Sequence, residues 1–332
     1  MVDISGVRQR VLEHVYQSTF VSDAFALYLF SFAFLSKHVP QKTVFDSDWD
    51  LLVVLDACRV DALREVADEY EFIEDVQARW SVGSTSKEWY LNTFTESHAD
   101  AIEGTAIVTA NGWADTVIDD TPEFTRWTGT KNSRFHQSTA LEPLVERPVV
   151  DAADFGEYVS VISTKEDHDF GAAPFAETVT GAAVEVGRTA EFDRMVVHYL
   201  QPHAPYLSNA RERGSITETE LRPLKTLQRG GDEDEIWELY LENLRYVLDN
   251  VADLLDNTDA DDVVITADHG ELFGEWGIYG HLGGIVHPAL RRVPWVETSA
   301  EDHGRLETNV LDRLSDQSEE PIEDHLKDLG YL

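Results

Sequence analysis

A single cysteine, Cys58, stands in 332 residues, so no internal disulfide can form and the fold owes nothing to oxidation. That usage fits a cytoplasmic chain. Cations are scarce as well: seven Lys and nineteen Arg face 63 Asp plus Glu, for a formal net charge of −37. A chain of that sign cannot neutralise nucleic-acid phosphates and release their counterions, which argues against a nucleic-acid partner. Long apolar runs are missing too. The run Ala24–Leu35 has twelve residues, too few for the roughly 20 that span a bilayer. Asp3 and Glu13 spoil the basic start of a signal peptide, and the stretch after the run offers no small-residue cleavage site. The run reads as a core or interfacial helix, with peripheral membrane contact as the minor alternative. Repeats and low-complexity segments are absent from the sequence.

What the chain does contain is enough apolar matter for a core: 42% apolar residues, eight Trp and fifteen Phe. Disordered acidic chains lack such aromatics. The carboxylates are spread along the sequence instead of forming a tail, so they belong to the surface, and the composition reads as adaptation to a salt-rich cytoplasm that screens self-repulsion.

Four short apolar runs, Asp50–Asp56, Thr105–Asn111, Arg194–Leu200 and Asp262–Asp268, have the continuous pattern of strands buried on both faces. Between the last two lies a helical pattern, Asp234–Leu255. It places Ile236, Tyr240, Leu244, Val247, Leu248, Val251 and Leu255 on one face, with acids at its start. Alternating strands and helices predict an α/β domain with a mostly parallel central sheet sandwiched by helices. Residues 1–44 read as a helical extension and 45–332 as the α/β domain. Within the latter, 112–192 reads as an elaboration and candidate lid. Ligands in such sheets bind beyond the carboxyl ends of the strands, and Asp56, Asn111, His203 and the pair Asp268-His269 all stand at or just past such ends.

Asp268-His269-Gly270-Glu271 puts a carboxylate and an imidazole together at one strand end, a donor set for a divalent cation, although such a turn alone also serves simple loop capping. Asp56 ends another buried run, where a carboxylate costs several kcal/mol to desolvate unless donors or a cation receive it. Downstream follows GEWGIYGH (274–281); upstream stands HYLQPHAPY (198–206). Together with LLVVLDACR (51–59), the helix YLENLRYVLDNVADLL (240–255) and ITADHGELFGEWGIYGH (265–281), these segments resemble, in order, the sulfatase-like branch of the alkaline phosphatase superfamily. The resemblance runs from about Asp48 to Trp295, with no placeable motif in 112–192.

It implies an alkaline phosphatase/sulfatase-like fold in which Asp56, Asp268 and His269 hold a metal and a nucleophile completes the shell. The C/S-x-P-x-R motif that yields formylglycine in sulfatases is absent, and Cys58 reads as a small core residue. By comparison with the GKTS-type segment of phosphoglycerol-transferase relatives, Ser81–Glu88 (SVGSTSKE) supplies the nucleophile, Thr85 first and Ser84 second. Both also suit an ordinary helix N-cap with Glu88 as partner, and the two readings are compatible. The resemblance sets His203 and His281 over the transferred group, with a structural turn as the other reading of His203. Arg59 and Lys87 are candidate oxyanion clamps or surface ion pairs, and His287 either reaches the site or orders its loop. Where sulfatases carry a second acid after the first Asp, this chain has Ala57. One cation is expected, Mn²⁺, Zn²⁺, Ca²⁺ or Mg²⁺, with the His ligand leaning away from Ca²⁺.

These readings converge on a metal-dependent hydrolase of phosphate or sulfate esters acting on an anionic small-molecule or glycan ester. Two alternatives accompany it: a phospho- or sulfo-group transferase acting on glycan or lipid headgroups, and a catalytically inactive binding protein of the same fold.

Overall fold

The structure is a computed structural model; it describes residues 41–118, 148–162, 170 and 173–315, and within 23–34 residues 23, 24, 26–28, 30, 31 and 34. Most of the expected extension over 1–44, and 119–147 of the expected lid, lie outside the described residues. The elements below belong to one compact unit, Lys42–Asp120 with Val149–Leu332.

A seven-stranded sheet runs in the order β2-β9-β6-β1-β5-β3-β4. The strands are β1 (Leu51–Asp56), β2 (Gln77–Trp80), β3 (Thr105–Thr109), β4 (Glu157–Ser160), β5 (Arg194–Pro202), β6 (Ala260–Thr266) and β9 (Arg292–Ala300). Two short strands, β7 (Leu272–Phe273) and β8 (Tyr279–Gly280), pair apart from it. β6, β1, β5, β3 and β4 are mutually parallel, whereas β9 is antiparallel to both β6 and β2. All four expected strands are therefore present, and they form consecutive members of one parallel block. The antiparallel edge escaped the sequence reading because Arg292–Ala300 mixes apolar and polar residues without clean alternation.

The reason for the continuous apolar runs is visible in the packing. Every residue of β1 and β3 is buried. Leu51, Val53, Leu55, Ala106, Val108, Met195 and Val197 face a cluster built with α1 (Val60–Val66), α4 (Ala176–Thr189) and α5 (Glu233–Leu255). On the other face, α2 (Ser86–Thr93) sends Tyr90 to β3 and β5, and α3 (Gly112–Ile118) packs beside it. Helices thus cover both faces, as the α/β reading expects. α5 begins where Asp232 accepts N–H bonds from Asp234 and Glu235, and its seven expected stripe residues are all buried. Among the described residues no helix is long and apolar enough to cross a membrane.

Because the strands of the block are parallel, Asp56, Asn111, His203 and Asp268 emerge at one edge. β1 leaves the sheet through Ala57, whose φ of 60° is a left-handed conformation that costs an L-residue about 1 kcal/mol. That turn has a use: it aims the Ala57 N–H at Asp268 Oδ1, 3.2 Å away, and leaves its carbonyl for the Tyr240 hydroxyl at 2.8 Å. Gly270 is required for a different reason, because a Cβ there would lie 2.0 Å from the carbonyl oxygen of Ala289.

Candidate metal centre

Asp56, Asp268 and His269 are fully buried, and one ligand atom from each lies within 4.8 Å of the others. His269 Nε2 sits 3.5 Å from Asp56 Oδ1 and 3.4 Å from Asp268 Oδ2. Its Nδ1–H donates to the Gly270 carbonyl at 2.7 Å, which fixes the ring and turns the Nε2 lone pair toward the carboxylates. Burial, reinforced by His281, holds the His269 pKa well below the usual imidazole value, so the ring is neutral and able to ligate. Asp268 is fixed from behind: Oδ1 accepts the N–H groups of Ala57 and His269, and its backbone carbonyl accepts the Ser81 hydroxyl. Oδ2 is buried without a hydrogen-bond partner. Two carboxylates and a neutral imidazole, packed this closely away from water with a carboxylate oxygen unused, are the donor set a divalent cation neutralises, so the residues fit the expected metal.

A second group adjoins the first. His203, Glu271 and His281 also bring ligand atoms within 4.8 Å of one another. His281 Nδ1 is 3.1 Å from Glu271 Oε1, and its ring centroid lies 4.5 Å from that of His269 and 5.1 Å from that of His203. Burial lowers the His203 pKa to about 4. For His281 burial pulls the same way, but the Glu271 carboxylate outweighs it and raises the pKa above the ordinary value. Burial opposes ionisation of Glu271, and the neighbouring His281 nevertheless holds its carboxyl below the usual range. Each thus biases the other toward its charged form, imidazolium for His281 and carboxylate for Glu271. Sequence reasoning found both histidines and quoted Glu271 inside the DHGE string without giving it a role.

The hydroxyl segment divides by position. Thr85 is the N-cap of α2, half-buried, and its Oγ1 accepts the Glu88 N–H at 3.2 Å. Ser84 is fully buried, and its one hydroxyl proton is shared between two acceptors, Glu88 Oε2 at 2.8 Å and the Leu282 carbonyl at 3.0 Å, so its oxygen serves the loop. Ser86, which the sequence reading passed over, is the hydroxyl brought to the metal group, with Oγ 3.2 Å from His269 Nε2. The only sequence signal for it is its place in the Ser-Thr-Ser run.

The two candidate clamps have other engagements. Arg59 donates to Asp61, to Glu275 at 2.6 Å and to the Glu271 carbonyl at 3.1 Å, so gripping an anion would require exchanging these bonds. Lys87 lies 5.1 Å from the ring centroid of Trp113, and burial lowers its pKa to about 8. His287 is the N-cap of α6 (Pro288–Arg291), accepting the Ala289 N–H at 3.1 Å, which is the loop-ordering role. Cys58 is buried in the core cluster, as expected.

Two further residues hold the ligands. Asn111, past the end of β3, donates to Asp56 Oδ2 at 2.7 Å. His198 in β5 is fully buried, takes the Tyr90 hydroxyl at 2.7 Å on Nδ1 and points Nε2 toward Asp268 Oδ2, 3.8 Å away. Asn111 was legible as a rim residue; His198 was hidden because it continues the strand pattern.

No family model and no curated protein matches the chain. Among solved structures it is similar to the soluble domain of lipooligosaccharide phosphoethanolamine transferase A from Neisseria meningitidis: 14% identity, 84% of this chain and 86% of that one, TM-score 0.49. It is also similar to the C-terminal periplasmic domain of a phosphoethanolamine transferase from Campylobacter jejuni (14%, 75% and 78%, TM-score 0.43). A third is the phosphonate monoester hydrolase of Agrobacterium radiobacter (13%, 74% and 67%, TM-score 0.39).

Proposed function

We propose that the chain is a metal-dependent hydrolase of phosphate or sulfate esters, attacking through Thr85. The observation that carries this reading is the convergence of buried Asp56, Asp268 and His269 at the N-terminus of α2, beside a second group of His203, Glu271 and His281. A divalent cation held by Asp56, Asp268 and His269 would supply charge neutralisation and a lowered hydroxyl pKa.

The protein's own groups then have distinct tasks. The Glu88 N–H stabilises negative charge on Thr85 Oγ1, and the helix N-terminus favours an anionic ester in front of it. Ser86 steadies His269 from below. Thr85 releases its hydroxyl proton to solvent and bonds through Oγ1 to the phosphorus or sulfur atom as the bond to the leaving oxygen breaks. His281, biased toward its protonated form by Glu271, hands that oxygen a proton and regains one from the water that later hydrolyses the Thr85 ester. His203, neutral at working pH and with its Nδ1–H given to the Ala204 carbonyl at 2.6 Å, presents Nε2 as a hydrogen-bond acceptor for the incoming water. Hydrolysis of the Thr85 ester by water completes the cycle; delivery to an alcohol acceptor would make the same site a transferase.

The test is a panel of aryl phosphate mono- and diesters and aryl sulfates in high salt with Mn²⁺, Zn²⁺, Ca²⁺ and Mg²⁺ in turn. Turnover with one or more metals, lost in Asp268→Asn and Thr85→Ala, is the expected result. Full activity in both variants sinks the reading, and product that forms only with an added acceptor alcohol assigns a transferase. Metal content of one ion per chain agrees with the acid role of His281. Two ions would put a cation on His203, Glu271 and His281 instead.

A further inference from the structure

Large apolar side chains that stand in solvent are few in the unit that carries the site. Among its described residues they are Trp80, Trp276, Leu282 and Val286, at 57%, 69%, 39% and 52% exposure. All four lie around one rim. β2 is antiparallel to β9 and therefore parallel to β6, so Trp80 closes β2 at the edge where Asp268 emerges, directly before Ser81, which binds the Asp268 carbonyl. The other three belong to Gly274–Pro288, the segment that supplies His281.

That segment departs from the rest of the chain in charge. It holds one carboxylate, Glu275, already bound by Arg59, in a protein with 63 acids among 332 residues. Ile278, Tyr279 and Ile285 add half-buried apolar surface. Trp276 is held out at φ 55°, ψ 14°, a backbone conformation unfavourable for an L side chain, and its ring stands edge-on to His287 with centroids 4.4 Å apart. In an acidic protein, a segment that exposes three large apolar side chains and carries a single, already paired carboxylate has a surface suited to leaving water.

The occupant is constrained by continuity with the site. Whatever covers Trp276, Leu282 and Val286 lies over the segment of His281, and a second copy of a chain of charge −37 brings like charge to that rim. A lipid satisfies both demands, with chains on the rim and an anionic ester at the histidines, and exposed tryptophans are the side chains that settle at a bilayer interface. We infer that this rim docks a bilayer lipid whose phosphoester headgroup enters the site; the headgroup part rests on the proposed ester chemistry.

Two measurements separate the parts. With the full chain in high salt and EDTA, co-sedimentation with phosphatidylcholine vesicles and quenching of tryptophan fluorescence by brominated acyl chains read docking without turnover. Wild type binds, and the double variant Trp276→Ser/Val286→Ser, with unchanged Tm, binds at least about tenfold more weakly. Absence of vesicle binding overturns the inference, as does equal binding by the double variant or a lipid-free dimer that shields Trp276 from aqueous quencher. With metal restored, faster turnover of a long-chain than a short-chain phosphoester supports headgroup entry. Vesicle binding without turnover of any ester counts for docking and against the ester reading; turnover without binding does the reverse.

Discussion

Asn111 donates its side-chain amide to Asp56 Oδ2 at 2.7 Å, although the two residues end strands that are separated in the sheet by β5. Its own Oδ1 accepts the Trp113 N–H at 2.9 Å, which locks the amide at the start of α3. Removing this donor leaves a buried carboxylate oxygen short of a partner. Asn111→Ala is therefore expected to lose roughly 1.5–3 kcal/mol of stability in urea unfolding. Metal affinity should fall about 10- to 100-fold in competition titrations with a chelating dye. Unchanged metal affinity would mean that Asn111 does not orient Asp56 for ligation.

Thr85 and Ser86 separate attack from support. Thr85→Ala should abolish ester turnover, by about a thousandfold or more, and cost about 1 kcal/mol through the lost N-cap. Ser86→Ala should keep turnover within about tenfold while weakening metal binding, because its oxygen touches His269. Paired kcat and metal titrations decide; the opposite pattern would transfer the attacking role to Ser86.

Chelation should destabilise the protein measurably. A ligand that binds only the folded state at 100 times its Kd adds about 2.7 kcal/mol, so saturating metal should raise Tm and EDTA should return it. Asp268→Ala should lose the metal dependence of Tm. A Tm indifferent to every divalent ion in the wild type would argue against the centre.

Cys58 should be inert in the native state. It is fully buried, and burial, with Asp61 and Asp268 nearby, pushes its thiol far above the usual range. A thiol-specific chromogenic reagent at pH 8 should label none of it in high-salt buffer and one per chain in urea. Rapid native labelling would contradict its place in the core.

Low salt should weaken both fold and function. With a net charge of −37, lowering ionic strength from molar to tens of millimolar lengthens the screening distance from about 3 Å to tens of ångströms. Tm and kcat/KM for an anionic ester should both fall on dilution into low-salt buffer. Values independent of salt would remove the salt-rich cytoplasm from the account.

The parallel strands, α5 and three ligand candidates were legible because each has a local signature. Asp50–Asp56 and Asp262–Asp268 are apolar runs that stop at a carboxylate, and α5 carries a regular stripe behind an acidic start. Ser86, His198 and the role of Glu271 have none. A serine beside a threonine is indistinguishable from it in sequence; only the first turn of α2 decides that Thr85 caps the helix while Ser86 turns to His269. The remote partners of Arg59 were equally hidden, since Glu275 lies 216 positions and Glu271 212 positions away.

The sequence by itself determined that this chain folds as α/β, that its charge lies outside and that carboxylates and histidines collect at strand ends, because period, composition and motif order are properties of neighbours along the chain. Only the tertiary structure decided which of those groups touch. Parallel pairing of β6, β1, β5 and β3 sets their carboxyl ends on one edge. The left-handed turn at Ala57 and the close approach of Ala289 to Gly270 then fix which oxygens and nitrogens come within reach of a single ion.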